Sequence, residues 1–227
     1  ETWAQARAVY GPGGVVRDVM NGLYAEQDIT MLAAYPVYFG GIALNVESSD
    51  PASTEPNGIK VRVPGIKSFQ LTGEALGYIP SPIPFSEAFT AVQTGVVDGV
   101  IGSGAEGYYA SFRDVTKTYI PANTHFEVWY MIISNESLAS LSQEDQAALT
   151  EQAAAFEATR WTVAEADQGK NEQRLVDDLG ATVAVLTDEN LAAMSAKVRA
   201  EVWPQVLEDV GAEWGQAILD QVAAAAN

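Results

Sequence analysis

One arginine on an apolar strand opens the chemical reading of this chain. In Gly58-Ile59-Lys60-Val61-Arg62-Val63-Pro64, Ile59, Val61 and Val63 alternate with Lys60 and Arg62, the period of a strand with one buried face. That spacing puts Arg62 on the outward face. A planar guanidinium can grip a carboxylate through two parallel charge-assisted hydrogen bonds, which a point-like ammonium cannot do. The plain alternative is a surface arginine paired with one of the 30 acidic residues. Further along, Phe85 stands at the mouth of a helix that continues through Ser86-Glu87-Ala88-Phe89-Thr90-Ala91-Val92-Gln93-Thr94-Gly95, and the arginine with this phenylalanine makes a combination suited to holding a carboxylate.

Two other patterns invite chemistry. Gly102-Ser103-Gly104-Ala105-Glu106-Gly107 has the spacing of a dinucleotide-binding turn and precedes a helix. Its surroundings fit that use poorly: Asp98-Gly99 interrupts the preceding strand, and the acid expected about 20 residues onward is Glu127, at the beginning of its strand and not the end. Such glycines also serve tight packing at a strand-to-helix turn, or offer backbone N–H groups to an anion. His125 is the one histidine. No serine, cysteine or second histidine stands at a catalytic spacing from it, so it reads as a structural histidine.

Composition narrows the partners. A net charge of −18, with 12 lysines and arginines in all, opposes nucleic acid and anionic membrane surfaces as partners. The absence of cysteine excludes disulfides, thiolate chemistry and zinc–cysteine sites, and a single histidine excludes a polyhistidine metal centre. No D-x-[DN]-x-[DN]-G run marks a calcium loop, and the acids of 144–178 read as a solvated helix face. No apolar run approaches the roughly 18 residues that span a bilayer. Glu1-Thr2-Trp3 lacks the basic start and apolar middle of a signal peptide, so an exported form is expected to have lost one.

The elements that must position Arg62 and Phe85 follow from periodicity. Helices are expected at 2–10 and 14–27 around Gly11-Pro12-Gly13, with a strand near 30–37 and a loop at 48–58. Strand 59–63, helix 66–76, strand 78–83, helix 86–95, strand 97–101 and helix 105–113 then alternate, which favours helices packed on a mostly parallel sheet. Val128-Trp129-Tyr130-Met131-Ile132-Ile133 reads as a strand buried on both faces. Ser142, with Asp145 three residues on, opens a helix of about 37 residues that Gly180 ends; at 1.5 Å per residue it spans about 55 Å, the reach of a brace between two lobes. Gly169 marks a possible bend in it. A short strand at 182–186 and helices 188–202 and 211–225 complete the chain, and Trp161, Trp203 and Trp214 read as packing.

Lys60-Val61-Arg62-Val63-Pro64, Pro84-Phe85-Ser86-Glu87, Ala91-Val92-Gln93-Thr94-Gly95-Val96-Val97-Asp98-Gly99 and Thr124-His125, in this order and at these spacings, resemble the solute receptors of tripartite ATP-independent periplasmic (TRAP) transporters. The resemblance covers most of the chain. It implies that Arg62 binds the ligand carboxylate and that Phe85 packs over it. Members of the family begin with a βα unit, whereas Glu1–Tyr10 reads as a helix from the middle of the first domain; the N-terminal part of that domain is expected to be absent. Two positions depart from the common pattern. Gly102 stands where most members carry an asparagine that touches the ligand, and Ser103, Glu106, Tyr108 and Tyr109 are candidate replacements. Gly40 stands where receptors of acidic substrates carry a second arginine, which puts dicarboxylates and sialic acids in doubt.

The expected architecture is therefore α/β, a two-lobed periplasmic-binding-protein-like fold with a hinge, a cleft between the lobes and a long helix bracing both. Lobe I is expected to comprise 1–40 and 128–167, and lobe II 41–127 and 168–227, with hinges near 35–46 and 124–130. The expected function is an extracytoplasmic receptor, not an enzyme and without a cofactor or metal, that captures a hydroxylated or ring-bearing monocarboxylate. The expected ligand contacts are Arg62, Phe85, Tyr38, Ser103, Glu106, Tyr108 and Trp129; of Trp129 and Tyr130, strand alternation sends one to the core and one to the cleft. The protein is expected to be a periplasmic monomer that delivers its ligand to the TRAP permease subunits. The competing readings are an α/β enzyme acting on a carboxylate and a periplasmic sensor of the same ligand.

Overall fold

In a computed structural model, residues 2–225 are described. They divide into two compact units. Unit 2 comprises Tyr38–His125 and Asp167–Ala212, and unit 1 the chain up to Val37, Phe126–Ala166 and the chain from Glu213. This places residues from Glu213 with unit 1, whereas the sequence assigns 168–227 to the second lobe. The change of unit follows Gly211, whose φ of +94° redirects the chain between two helices.

Unit 2 is built on a six-stranded sheet of order β4-β3-β5-β2-β6-β8. Its strands are β2 (Gly41–Leu44), β3 (Lys60–Val63), β4 (Ile79–Pro82), β5 (Gly99–Ser103), β6 (Thr118–Ile120) and β8 (Thr182–Val183). β2 is antiparallel to both of its neighbours, and the remaining pairs are parallel. The alternation read from the sequence is the βαβ run in which α3 (Lys67–Ala75), α4 (Phe85–Gln93) and α5 (Ala105–Phe112) connect the parallel strands. β6, of three residues, is too short to give a periodic signal and is not expected from the sequence, whereas β2 falls within the hinge stretch expected near 35–46.

Successive residues of the central strands enter opposite cores, as the pleat requires. Ile42, Leu44, Val61, Val63, Ile101 and Ile120 pack beneath Leu76 at the end of α3 and Met194 on α8 (Asp188–Glu201). Ala43, Val100 and Tyr119 point the other way, against Ala88 and Val92 of α4, Tyr108 and Phe112 of α5, and Leu175. Burying each of the larger aliphatic chains contributes about 1.5–3 kcal/mol. Arg62 lies between Val61 and Val63 and so faces the α4–α5 side. The plain alternative of a surface arginine does not hold, for a simple reason: both faces of β3 are covered, and only Lys60 at the strand's start is exposed.

Asp98-Gly99 has a structural explanation. Asp98 Oδ2 accepts from the Lys60 backbone N–H at 2.9 Å and the Asp98 N–H donates to Lys60 O at 2.7 Å, which fixes β5 beside β3. A Cβ at Gly99 would come within 2.5 Å of Ala43 O.

In unit 1, α1 (Trp3–Tyr10) starts at a Thr2–Gln5 capping box, and α2 is Val15–Ala25. β1 (Ile29–Phe39) pairs with β7 (Phe126–Ser134), after which comes the short helix α6 (Asn135–Ala139). β7 is not buried on both faces: Trp129 is 51% and Ile132 46% exposed. Among the described residues β7 belongs to a sheet of two strands, which covers it incompletely. Phe126 packs edge-on to Trp3 and stacks on Trp161.

α7 (Gln143–Leu179) is unbroken through Gly169, with Gln143–Ala166 in unit 1 and Asp167–Leu179 in unit 2. Ser142 Oγ accepts from the Asp145 N–H and donates to Asp145 Oδ2. Gly180, at φ +67°, closes it with the paired bonds Gly180 N–H to Val176 O and Ala181 N–H to Leu175 O. Its acids are not all solvated. Glu157 is 3% exposed, pairs with Arg17 of α2 and accepts from the Ala34 N–H of β1 at 3.0 Å, so one carboxylate joins three elements. α9 (Trp203–Val210) and α10 (Ala212–Ala225) end the described chain; Trp203 lies beneath the Arg199 guanidinium, and Trp214 is half exposed.

Glu172, on the unit 2 part of α7, is half-buried near the Tyr119 phenol. Burial pushes its carboxyl pKa up, offset in part by a hydrogen bond from Gln168 Nε2 at 3.0 Å. The folded state therefore binds this proton more tightly than the unfolded chain, so stability falls as pH rises above the ordinary value of 4.5. Glu172→Gln is expected to raise the melting temperature at pH 7 and to change it little near pH 4, as paired melting curves across that range would show.

Candidate functional site

The Arg62 guanidinium is placed by main chain on one side and by an aromatic ring on the other. Arg62 is 4% exposed, and its Nε donates to Ile83 O at 2.7 Å. Ile83 follows β4, whose parallel register pairs Arg62 with Ser81 and brings the Ile83 carbonyl alongside. Phe85, the first residue of α4, is 56% exposed, with its ring centroid 5.7 Å from the guanidinium carbon. The ring is held edge-on by Phe112 at 5.8 Å.

Among the described residues no carboxylate pairs with Arg62. Burial lowers its pKa from the usual arginine value, with the nearby Tyr108 acting in the opposite direction. Of five N–H donors on a guanidinium, Ile83 uses one, so the outer edge, Nη1 and Nη2, keeps its capacity for an acceptor with two oxygens. In a chain of charge −18, a buried cation left without an acidic partner is a strong exception to the rule that buried charges are paired.

The residues expected to assist Arg62 fall into three groups. Tyr108 is fully buried; its hydroxyl lies 2.9 Å from Gly41 O and 3.0 Å from Val100 O, which share its one proton, and it accepts from the Ser103 N–H. Tyr108 thus ties β2 to β5 beneath the site, and burial pushes its phenol pKa well up. Ser103 and Tyr38 are buried too, with Ser103 Oγ 3.4 Å from the Tyr38 hydroxyl. A direct ligand contact from Tyr108, Ser103 or Tyr38 does not follow from these positions, because strand alternation and the turn into α5 send all three inward. Glu106, in the first turn of α5, is exposed. Tyr109 is engaged elsewhere: its hydroxyl donates to Asp178 and Arg174 stacks on its ring at 3.7 Å. Trp129 belongs to unit 1, where its Nε1 donates to Glu127 Oε1 at 2.7 Å and its ring meets Tyr35 edge-on.

The glycine-rich turn is explained by packing. A Cβ at Gly104 would lie 2.5 Å from the Tyr38 ring, and one at Gly107 2.1 Å from Ser103 Oγ. The Tyr38 ring therefore packs directly against the main chain of this turn. Gly40 has a comparable reason to be glycine: a Cβ there would overlap the His125 ring at 2.1 Å, so the place of a second arginine is filled by imidazole. His125 Nδ1 lies 3.0 Å from Thr124 Oγ1, and the ring meets Phe69 edge-on.

Sequence reasoning missed Ile83 as the group that orients Arg62. It acts through its carbonyl, and a backbone contact leaves no mark on residue type.

Residues 52–209 match the family model of bacterial extracellular solute-binding protein, family 7. The chain belongs to this family. Among relatives of this family 7 protein, a solute-binding protein of Roseobacter denitrificans is 31% identical over 192 residues, which cover 82% of this chain and 57% of that protein. The ectoine-binding periplasmic protein TeaA of Halomonas elongata is 28% identical over 224 residues, 92% of this chain and 60% of TeaA. The chain thus spans 57–60% of the length of these two relatives. The crystal structure of a TRAP periplasmic solute-binding protein from Haemophilus influenzae with bound L-gulonate shares the fold, with a TM-score of 0.84 at 19% identity over 99% of this chain and 71% of that one. Among the described residues no helix of this family 7 protein is long and apolar enough to cross a membrane, and no group of acidic or histidine side chains is placed to hold a metal.

Proposed function

We propose that this family 7 protein is the solute receptor of a TRAP transporter, that it captures a small organic monocarboxylate through Arg62, and that it hands the acid unchanged to the membrane permease. The observation that carries the proposal is the buried Arg62 guanidinium, which has no acidic partner among the described residues. An anion with two coplanar oxygens satisfies its open edge, and Phe85 supplies an apolar cover. In this reading Tyr38, Ser103 and Tyr108 shape the floor of the Arg62 site, Glu106 is a ligand contact, and units 1 and 2 are the two receptor lobes. The protein acts in the periplasm as a monomer. L-Gulonate in the Haemophilus influenzae structure and ectoine in the name of TeaA show hydroxylated and ring-bearing acids as ligands of proteins that share this fold, which supports the same class here.

Receptor and enzyme differ in the fate of the ligand. Incubation of the protein with an acid that raises its melting temperature, followed by mass spectrometry of the released ligand, is expected to return the acid unaltered. Turnover of the acid, lost in His125→Ala, would replace the receptor reading with a catalytic one. Phe85→Ala is expected to weaken binding of the same acid by about tenfold, through lost cation–π contact and lost cover over the charge pair, with little change in melting temperature since the ring is more than half exposed. Isothermal titration would measure it.

A further inference from the structure

The chain passes between units 1 and 2 at Val37–Tyr38, His125–Phe126, Ala166–Asp167 and Ala212–Glu213. On the unit 2 side the first three passages are stitched together. Gly40 N–H donates to His125 O at 2.8 Å and Thr124 N–H to Gly40 O at 2.9 Å, which joins the first passage to the second by main chain. The join to the third is made by a side chain: Phe39 N–H donates to Gln168 Oε1 at 2.8 Å. Successive N–H groups of an extended chain point to opposite sides, so Phe39 and Gly40 each reach a different partner.

The Gln168 amide has one workable orientation. Its Nε2 donates to Glu172 Oε1 at 3.0 Å, one helical turn on. Turned over, the amide would set its NH2 against the Phe39 N–H and its carbonyl against a carboxylate. The cations near Glu172 on α7 are engaged elsewhere: Lys170 lies 3.6 Å from Asp167, and Arg174 lies 3.7 Å from Asp178 and stacks on Tyr109. From the sheet, the Tyr119 phenol of β6 is the titratable group that faces it among the described residues.

We infer that Gln168 is a positioning residue for ligand capture: it ties the last residue of β1 to α7 and so fixes the pivot about which the two units turn, without touching the ligand. The inference rests on the receptor reading, in which the units are lobes. A pivot tied at three passages leaves the free protein fewer arrangements to give up when a ligand closes it, which lowers the entropy cost of capture. Glu172 acts one step further back, by holding the amide in the orientation that accepts from Phe39.

The chain has no cysteine, so spin labels at Gln93→Cys in unit 2 and Glu151→Cys in unit 1, both exposed, report the distance between units by double electron–electron resonance without any ligand. Gln168→Leu is expected to broaden the distance distribution and to speed hydrogen exchange at the Phe39 amide about threefold to tenfold, the loss of one net hydrogen bond. Glu172→Leu is expected to do the same more weakly. Glu172→Gln, whose amide oxygen still accepts from Gln168 Nε2, should do neither. Should Gln168→Leu fail to fold by circular dichroism, Gln168→Glu keeps an acceptor for Phe39 but sets two carboxylates together; its distribution is expected to be broad at pH 8 and to narrow toward the parent's at pH 5, where the pair shares a proton. A parent-like distribution in Gln168→Leu, one in Gln168→Glu at both pH values, or equal broadening in Glu172→Gln and Glu172→Leu would overturn the inference. Failure of the receptor reading looks different: these variants would behave as expected while no organic acid shifts the parent's distribution.

Discussion

Arg62→Ala is expected to weaken carboxylate binding by about 2–5 kcal/mol, roughly 30-fold to several thousand-fold in Kd at 25 °C, because it removes one partner of a desolvated, hydrogen-bonded charge pair. Its effect on the free protein should be small. The methylenes of Arg62 lose packing, but a guanidinium that is 4% exposed and meets no carboxylate is itself costly to bury, and the two changes oppose one another. This combination separates a binding residue from a structural one. Arg62→Lys should bind poorly as well, since an ammonium cannot span two carboxylate oxygens while also bonding Ile83 O. Isothermal titration with a bound acid, together with thermal melting without it, reads both effects; a large fall in melting temperature with unchanged affinity would reverse the assignment.

The second large effect is on stability and lies in unit 1. Glu157 receives Arg17 and the Ala34 N–H while almost wholly buried. Removing one member of a buried ion pair costs about 3–5 kcal/mol because its partner is left desolvated, and for a chain of this size that corresponds to roughly 10 °C in melting temperature. Glu157→Ala should show this loss. Glu157→Gln should lose less, because the amide oxygen still accepts from Ala34 although Arg17 is left without a charge partner. Arg17→Ala added to Glu157→Ala should cost little more than Glu157→Ala alone, since the two side chains act as a unit. A melting temperature within 2 °C of the parent for Glu157→Ala, by the same scale, would contradict this account of how α2, β1 and α7 are joined.

The parts of the fold legible in the sequence were those with strong periodicity or strong punctuation. The alternating run from Lys60 to Phe112 reads directly as strands and helices, and the 37-residue helix could be bounded from Ser142 and Gly180 because both its ends use local capping chemistry. β6 was not legible, since three residues define no period, and β2 lies inside the crossing stretch 35–46, where its separation from β1 at Gly40 leaves no mark in residue type. Burial was the less readable quantity. Lys60 and Arg62 share a face by spacing, yet one is exposed and the other enclosed, because enclosure of Arg62 depends on α4 and α5 arriving from more than 20 residues away. Glu157 illustrates the same limit from the acidic side: its neighbours in sequence are helix-surface residues, and its partners come from Arg17 and Ala34.

The candidate site was legible in its charge and not in its shape. An arginine on an apolar strand announces an anion, and a phenylalanine at a helix start announces a cover. Tyr108, Ser103 and Tyr38 carry hydroxyls that look suited to a ligand, but their hydrogen bonds turn inward. Gly102 shows the converse case, a residue with no side chain whose φ and close approach to Pro64 and Arg62 appear only in three dimensions.

Native mass spectrometry of the purified protein, before and after addition of organic acids, tests the central claim most directly. The account predicts one equivalent of a small carboxylate held by the unaltered chain and absent from Arg62→Ala under the same conditions. Retention of the same acid by Arg62→Ala, or saturation of the unaltered chain by a nicotinamide dinucleotide in place of an organic acid, would contradict it.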